Sequence, residues 1–326
     1  MFYIESESTD QCFNFALEEY LLTQKKEGDL FGVCLNAAAV NIGINQNVEE
    51  EINLKYVEEH NLNIMRRKAG GGAGYVDPGC LTYSFITDAR HLEDSNYRLF
   101  SLPVCRALKA LGVPAEFTGR NDILVDGKKV SGAAQRVVNG RVDHHGTLLF
   151  DTDIEAMAAA LKVDPEKFKS KSAKSVKARV GNLKDYLPQF ESIEEFKEAF
   201  LEEFFKGKEL IKYSLTEEEL KIVNQIAEQY RSREWTYGRN PGFEYNNKKR
   251  FPGGTLAVSA DIREGIISGI IFTGDFMATT GLTDIEAALT GARYEKSAVK
   301  EILQRFDLEP YFGSITADEI TEVLLP

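Results

Sequence analysis

The chain has 326 residues, 43% of them hydrophobic, and a formal net charge of −12. That length supports one large domain with a small one, and the acidic balance excludes nucleic acid as a main partner, because phosphate backbones are gripped by clustered Lys and Arg. The cysteines at 12, 34, 80 and 105 show no CxxC or regular spacing, so neither a zinc site nor a disulfide framework is expected. The opening MFYIESESTD lacks a basic, then apolar leader and no run is long enough to span a membrane, so a cytoplasmic location with no membrane partner is expected.

Ser8, Thr9 or Asp10 can cap a helix whose apolar positions Phe13, Ala16, Leu17, Tyr20 and Leu21 fall three or four apart. After Gly28, LFGVCLNAAAVNIGI reads as two short strands around a turn, the second ending at Gly43. Asn45, Gln46 and Asn47 follow, with turn capping the ordinary duty of such residues and a site lining the alternative. A charged helix is expected over 50–60, and Leu62, Ile64 and Met65 make a strand that delivers the chain to Arg66.

There RRKAGGG places two arginines directly before three glycines, so fixed positive charge adjoins backbone that a ligand can approach closely. A Walker loop needs a Lys-Ser/Thr after its last glycine, and a dinucleotide fingerprint needs a following helix. Here Gly72 is followed by Ala73 and Gly74, and LTYSFI (81–86) alternates as a strand. The remaining choices are a glycine-rich hairpin with surface arginines or a loop that binds a phosphorylated or carboxylated ligand. A helix over 97–112, with Leu99, Leu102, Val104 and Leu108 inward, serves packing.

Asp126-Gly127, flanked by ILV and KKV, is a strong hairpin signal that brings Asp122 and Lys129 close across paired strands. Asn139-Gly140 supplies a second hairpin, whose return strand carries His144 and His145. Neighbouring strand residues point to opposite faces, which disfavours joint metal ligation by the pair. KSKSAKSVKARVGNLKDYL (169–187) is basic and weakly periodic, either a solvated linker or a mobile loop that folds over an anion. Helices are expected over 193–205 and 217–230, strands from Arg250 to Phe272 around Glu264-Gly265, and helices over 284–291 and 295–304. The chain thus divides into 1–245 and a small α+β unit, 246–326.

ALEEYLL (16–22), NQN (45–47), RRKAGGG (66–72), GRND (119–122), KVSG (129–132), HHGTLLFDTD (144–153), SVKARVGNL (175–183) and W-x-Y-G-x-N-P-x-F (235–243) together resemble the lipoate-protein ligases over most of the chain. The resemblance implies an α/β (α+β) fold: a large catalytic domain with mixed sheets flanked by helices, shared with the biotin ligases, and a small C-terminal domain that moves during the cycle. It implies ATP and lipoate as substrates with Mg²⁺, lipoyl-AMP as intermediate, and transfer of the acyl group to one lysine of a lipoyl carrier, the glycine-cleavage H protein or a 2-oxoacid dehydrogenase E2 domain.

Lys129 matches the family's lysine before V-S-G and is expected to be catalytic, a point charge on a crowded phosphorus where negative charge builds. Arg67 with Gly70, Gly71 and Gly72 would hold acid and phosphate. Asn121 and Asp122 would contact the nucleotide, Asp122 also Mg²⁺. The resemblance places Ala73, Ser131, Gly132, His145, Gly146 and Thr147 around the same ligands, and Arg179 in a loop from Lys171 that covers the adenylate. Ile44, Ala69, Gly74, Val76 and Cys80 depart from the family pattern, so adenylation or acid choice is expected to have changed. Cys80 opens an alternative, ATP-independent acyl transfer between carriers through a thioester, and a non-catalytic lipoyl-binding protein is a third reading.

Overall fold

The computed structural model describes all residues except 26–27, 90–96, 119–120, 163–178, 238–242, 244, 264 and 326. Fourteen strands are present among the described residues: β1 (Phe2–Ser6), β2 (Leu30–Leu35), β3 (Ala39–Ile42), β4 (Asn63–Arg66), β5 (Gly74–Val76), β6 (Cys80–Asp88), β7 (Glu116–Thr118), β8 (Asp122–Val125), β9 (Lys128–Val138), β10 (Arg141–Leu149), β11 (Ile211–Lys212), β12 (Tyr245–Phe251), β13 (Gly254–Arg263) and β14 (Ile266–Gly274). Eight of them form one mixed sheet in the order β11-β1-β2-β6-β10-β9-β8-β7, and β4-β3-β5 form a second, small sheet. The mixed α/β architecture expected from the resemblance is what the chain adopts.

Helix α1 (Gln11–Thr23) starts where Asp10 accepts the Cys12 amide, and its crossover sets β1 parallel to β2. The two strands expected before Gly43 form, yet they part company: β2 joins the large sheet and β3 the small one. On one side of the large sheet, the helices Tyr97–Ala110 and Ile193–Phe205 cover a core of Phe31, Phe85, Val104, Leu108, Phe196 and Phe200. Phe31 stacks on Phe204 with ring centroids 4.4 Å apart. Each such side chain contributes about 1.5–3 kcal/mol on burial.

Two local expectations are corrected. The helix Tyr97–Ala110 buries Phe100, Val104 and Leu108 but leaves Leu99 and Leu102 53% and 38% exposed, because Phe100 rather than Leu99 sets the inward stripe. The segment 50–60 is two short helices, Val48–Glu51 and Leu54–Glu59, each started by an asparagine cap, Asn47 and Asn53. Between them Ile52 is fully buried and bridges to Leu161, which pulls the backbone out of helical form.

Beyond Tyr245, β12-β13-β14 make an antiparallel meander backed by the helices Thr283–Leu289, Lys296–Leu303 and Ala317–Leu324. Leu256, Val258, Phe272, Phe276, Ile285, Val299 and Phe312 form a core of their own there. This unit also meets the rest of the chain through backbone bonds, Gly274 N–H to Asn45 O at 2.8 Å and Val137 N–H to Thr279 O at 3.3 Å. No helix among the described residues is long and apolar enough to cross a membrane.

Candidate functional site

A cavity of about 620 Å³ opens between the small sheet, α1 and the β9–β10 face of the large sheet. Lys129, Arg67, Gly71, Gly72, Ala73, Asn121, Asp122, Gly132, His145, Gly146, Thr147 and Arg179 all line it. Gly70 and Ser131 do not.

The β8–β9 hairpin turns at Asp126-Gly127, both left-handed with φ of 50° and 77°, as that pair favours. Lys129 Nζ lies 2.7 Å from Asp122 Oδ1, the two side chains 38% and 35% exposed. The register holds an extra residue on β9: Asp122 faces Gly132 and Ile123 faces Ser131, but Leu124 faces Lys129, leaving Val130 as a bulge. The bulge puts Lys129 and Gly132 on the cavity side. It turns Ser131 inward, 1% exposed beside the Tyr83 phenol, so the expectation that Ser131 contacts a ligand is corrected. Gly181 N–H bonds the Lys129 carbonyl at 3.0 Å and Val180 bridges to the same residue, which seats the exposed Arg179 at the cavity. The rest of the basic loop, 171–178, and Gly119-Arg120 of the GRND motif lie outside the described residues.

The glycine run is organised differently from its sequence reading. Arg66 is 1% exposed and spends its guanidinium on carbonyls of Gly43, Ile44, Gln46, Trp235 and Thr236, at 2.6–3.2 Å. Arg67, 5% exposed, donates to Gly70 O at 2.6 Å, Gly72 O at 2.8 Å and Asn41 Oδ1 at 2.8 Å. Burial pulls the Arg67 guanidinium down to about 10, still protonated at neutral pH. Four of its five N–H donors are thus spent on shaping the loop, while the side chain still lines the cavity. Gly71 has φ of +89°, which calls for glycine. Gly70 N–H bonds Ala278 O and Gly71 N–H bonds Phe276 O, each at 3.0 Å, so in this arrangement the amides expected to meet a ligand are taken by the C-terminal unit. A Cβ on Gly70 would lie 2.5 Å from the Ala278 amide nitrogen, which turns this residue away from the cavity.

Gln46 Oε1 accepts the Gly43 amide at 2.9 Å and Asn47 caps a helix, so the NQN stretch frames the loop and lines no part of the cavity. Of the departing positions, Gly74 and Val76 line the cavity, whereas Ile44, Ala69 and Cys80 do not. Cys80 is fully buried, and burial with the nearby charge of Asp77 pushes its thiol up, the opposite of what a nucleophile needs.

His144 and His145 do point to opposite faces. His144 is fully buried against Phe100, rings 4.8 Å apart, its Nδ1 2.9 Å from Gln135 Nε2, and burial holds it well below the usual histidine range. His145 faces the cavity, with Nδ1 3.2 Å from Asp143 Oδ2 and 3.5 Å from Glu18 Oε2. Burial, then the charge of Asp143, push the Glu18 carboxyl well up. Glu18, Asp143 and His145 offer ligand atoms within 4.8 Å of one another, a spacing a divalent ion could use. Sequence reasoning missed Glu18 and Asp143; the i, i+3, i+4, i+7 series of Gln11, Asn14, Phe15 and Glu18 on one face of α1 is the signal that could have found the first.

The family description "Lipoyl protein ligase A/B catalytic domain" matches residues 10–205, and "Bacterial lipoate protein ligase C-terminus" matches residues 240–324. The chain is similar to lipoate-protein ligase LplJ of Bacillus subtilis, at 39% identity over 99% of this chain and 100% of that one. Among solved structures it is similar to a bipartite lipoate protein ligase of Thermoplasma acidophilum, described with its E2 lipoyl domain, at 28% identity and TM-score 0.64 over 75% of this chain and 98% of that one. It is also similar to a lipoate-protein ligase A bound with ATP, at 25% identity and TM-score 0.64 over 73% and 98%.

Proposed function

The chain belongs to the family of lipoate-protein ligases, and from that premise we propose that Lys129 carries the activation of lipoate by ATP to lipoyl-AMP, followed by transfer to a lysine of a lipoyl carrier domain. The observation that carries this reading is the Lys129–Asp122 pair, 2.7 Å apart on a hairpin that faces the cavity of about 620 Å³. When the carboxylate attacks the α-phosphorus, two anions meet and charge builds on the phosphoryl oxygens. A preorganised cation there lowers the barrier. Asp122 aims the Lys129 ammonium, which sits on a flexible stem.

Asp122 also fits Mg²⁺ carried with the nucleotide, since that ion is held by one or two carboxylates with phosphate oxygens and its own waters. Mg²⁺ would neutralise phosphate charge there. Asn121, at the cavity wall, donates through Nδ2 to Ala133 O at 2.7 Å, which fixes its amide for contact with the nucleotide. Arg67 supports the reaction by fixing the curve of Gly70–Gly72. Arg179, at the cavity wall, faces the adenylate, whose hydrolysis water exclusion prevents. The carrier is an H protein or an E2 lipoyl domain.

The thioester alternative lacks an accessible nucleophile at Cys80. ATP–pyrophosphate exchange with lipoate tests the reading: lipoate-dependent exchange is expected. Transfer of a lipoyl group between carriers without ATP, in the absence of exchange, would overturn it.

A further inference from the structure

Most of the cavity wall belongs to the large unit, yet Arg250, Asp275 and Met277 of the C-terminal unit line it as well. Strand periodicity puts Arg250 there. Along β12, Lys249 and Phe251 turn toward their own unit, Lys249 to Glu322 and Phe251 into the core, so Lys248 and Arg250 share the opposite face. Lys248 Nζ meets Glu50 Oε2 of the helix Val48–Glu51 at 2.9 Å, and Arg250, two residues on, reaches the cavity.

Arg250 is held at one end of its planar fork. Its Nη1 donates to Thr255 Oγ1 at 2.8 Å and lies 3.5 Å from Asp275 Oδ2, while Nε and Nη2 make no hydrogen bond among the described residues. Asp275 is fixed in turn, its Oδ1 accepting the Thr255 amide at 2.6 Å. A fixed carboxylate therefore aims this cation as Asp122 aims Lys129. The pair borders the glycine loop: a Cβ on Gly72 would lie 3.9 Å from the Asp275 Cβ, and one on Gly71 3.5 Å from the Met277 sulfur. Docking of the C-terminal unit thus takes the amides of Gly70 and Gly71 and sets a guanidinium beside the loop.

We propose that Arg250 binds the β- and γ-phosphates of ATP and the pyrophosphate they become. This deepens the ligase reading and rests on it. The described cations of the cavity wall are Arg67, Lys129, Lys162, Arg179 and Arg250. Arg67 spends most of its donors on the loop, and Lys162 Nζ donates to Glu49 O at 2.7 Å. Lys129 is assigned to the attacked phosphorus and Arg179 to the adenylate. Arg250 is left for the far phosphates, and its open fork suits them, because two N–H groups can meet two phosphate oxygens side by side. As the carboxylate oxygen bonds to the α-phosphorus, the bond to the bridging oxygen breaks and pyrophosphate leaves with the electron pair. Arg250 stabilises the charge that builds there.

The test uses the full chain and two probes, pyrophosphate and AMP, each with Mg²⁺, by calorimetry, followed by ATP–pyrophosphate exchange with lipoate. Arg250→Ala is expected to weaken pyrophosphate about tenfold or more in Kd and to raise the KM for ATP similarly, with AMP changed by about twofold or less. Arg250→Lys, which keeps the charge and loses the fork, should fall between. Lys248→Ala removes an exposed docking contact on the same strand face and should shift each value by about twofold or less. No pyrophosphate binding by wild type, unchanged pyrophosphate binding in Arg250→Ala, an equal loss for AMP, or an equal loss in Lys248→Ala overturns the proposal. If Arg250→Ala does not fold, the two Kd values of Arg250→Lys decide by the same criteria. Absence of exchange in wild type would strike the ligase reading, while pyrophosphate binding still judges this one.

Discussion

Arg66 ends β4 and Arg67 follows it, 1% and 5% exposed, their guanidiniums occupied by backbone carbonyls and, for Arg67, by Asn41 as well, while Lys129 stands across the cavity with a 38% exposed side chain and the carboxylate of Asp122 beside it. In sequence, the two arginines before three glycines are the more conspicuous anion site. In the fold Arg66 is framework and Arg67 spends most of its donors on the loop at the cavity wall, while the lysine on its hairpin faces the cavity. Guanidinium suits the first role because its fixed planar fork can satisfy several carbonyls at once. An ammonium on a flexible stem suits the second.

The contrast breaks most easily at Arg66. Arg66→Ala removes the guanidinium shared by five backbone carbonyls around the loop, and a loss of about 3–5 kcal/mol in unfolding free energy is expected by urea titration. A loss under about 1 kcal/mol would mean that water replaces the arginine and the framework role is empty. Lys129→Ala should show the converse: adenylation falling by about 10²–10³ in kcat, with stability changed by about 0.5 kcal/mol or less. Equal exchange rates in variant and wild type would remove Lys129 from the chemistry.

Buried charge also leaves a pH signature. Glu18, pushed up by burial and by Asp143, keeps its proton in the folded state above the ~4.3 at which the unfolded chain releases it. The folded state then binds more protons, so stability falls as pH rises from about 4.3 toward the folded value, with a slope up to ~1.4 kcal/mol per pH unit. Glu18→Gln should flatten that fall in denaturation curves taken at several pH values; curves parallel to wild type would refute it. The smallest effect is expected at Ile44, which lines no part of the cavity and approaches Gly281. Ile44→Lys should alter kcat/KM for lipoate by about threefold or less, and a larger gain would show that the loop reorients when substrates bind.

The proximity of Asp122 and Lys129 was legible, because Asp126-Gly127 is a local turn signal that fixes pairing over a few residues. The opposed faces of His144 and His145 followed from strand periodicity alone. The task of Arg66 was not, since Trp235 and Thr236 lie 169 and 170 residues away. The Val130 bulge, which separates Ser131 from Lys129, has no glycine to mark it. Asp143 reads as an ordinary strand residue until α1 brings Glu18 against it.

The bonds from Gly70 and Gly71 to Ala278 and Phe276 tie the glycine loop to the C-terminal part of the chain. An amide has one hydrogen. A phosphate or carboxylate that uses those two donors must compete with the carbonyls now holding them, so its binding and the docking of the C-terminal unit are antagonistic. Thermodynamic reciprocity then requires that whatever tightens this docking weakens the ligand by the same factor. A change far from the cavity, on the Thr279 side of the contact, would then tune affinity for any anion that takes those amides without touching it.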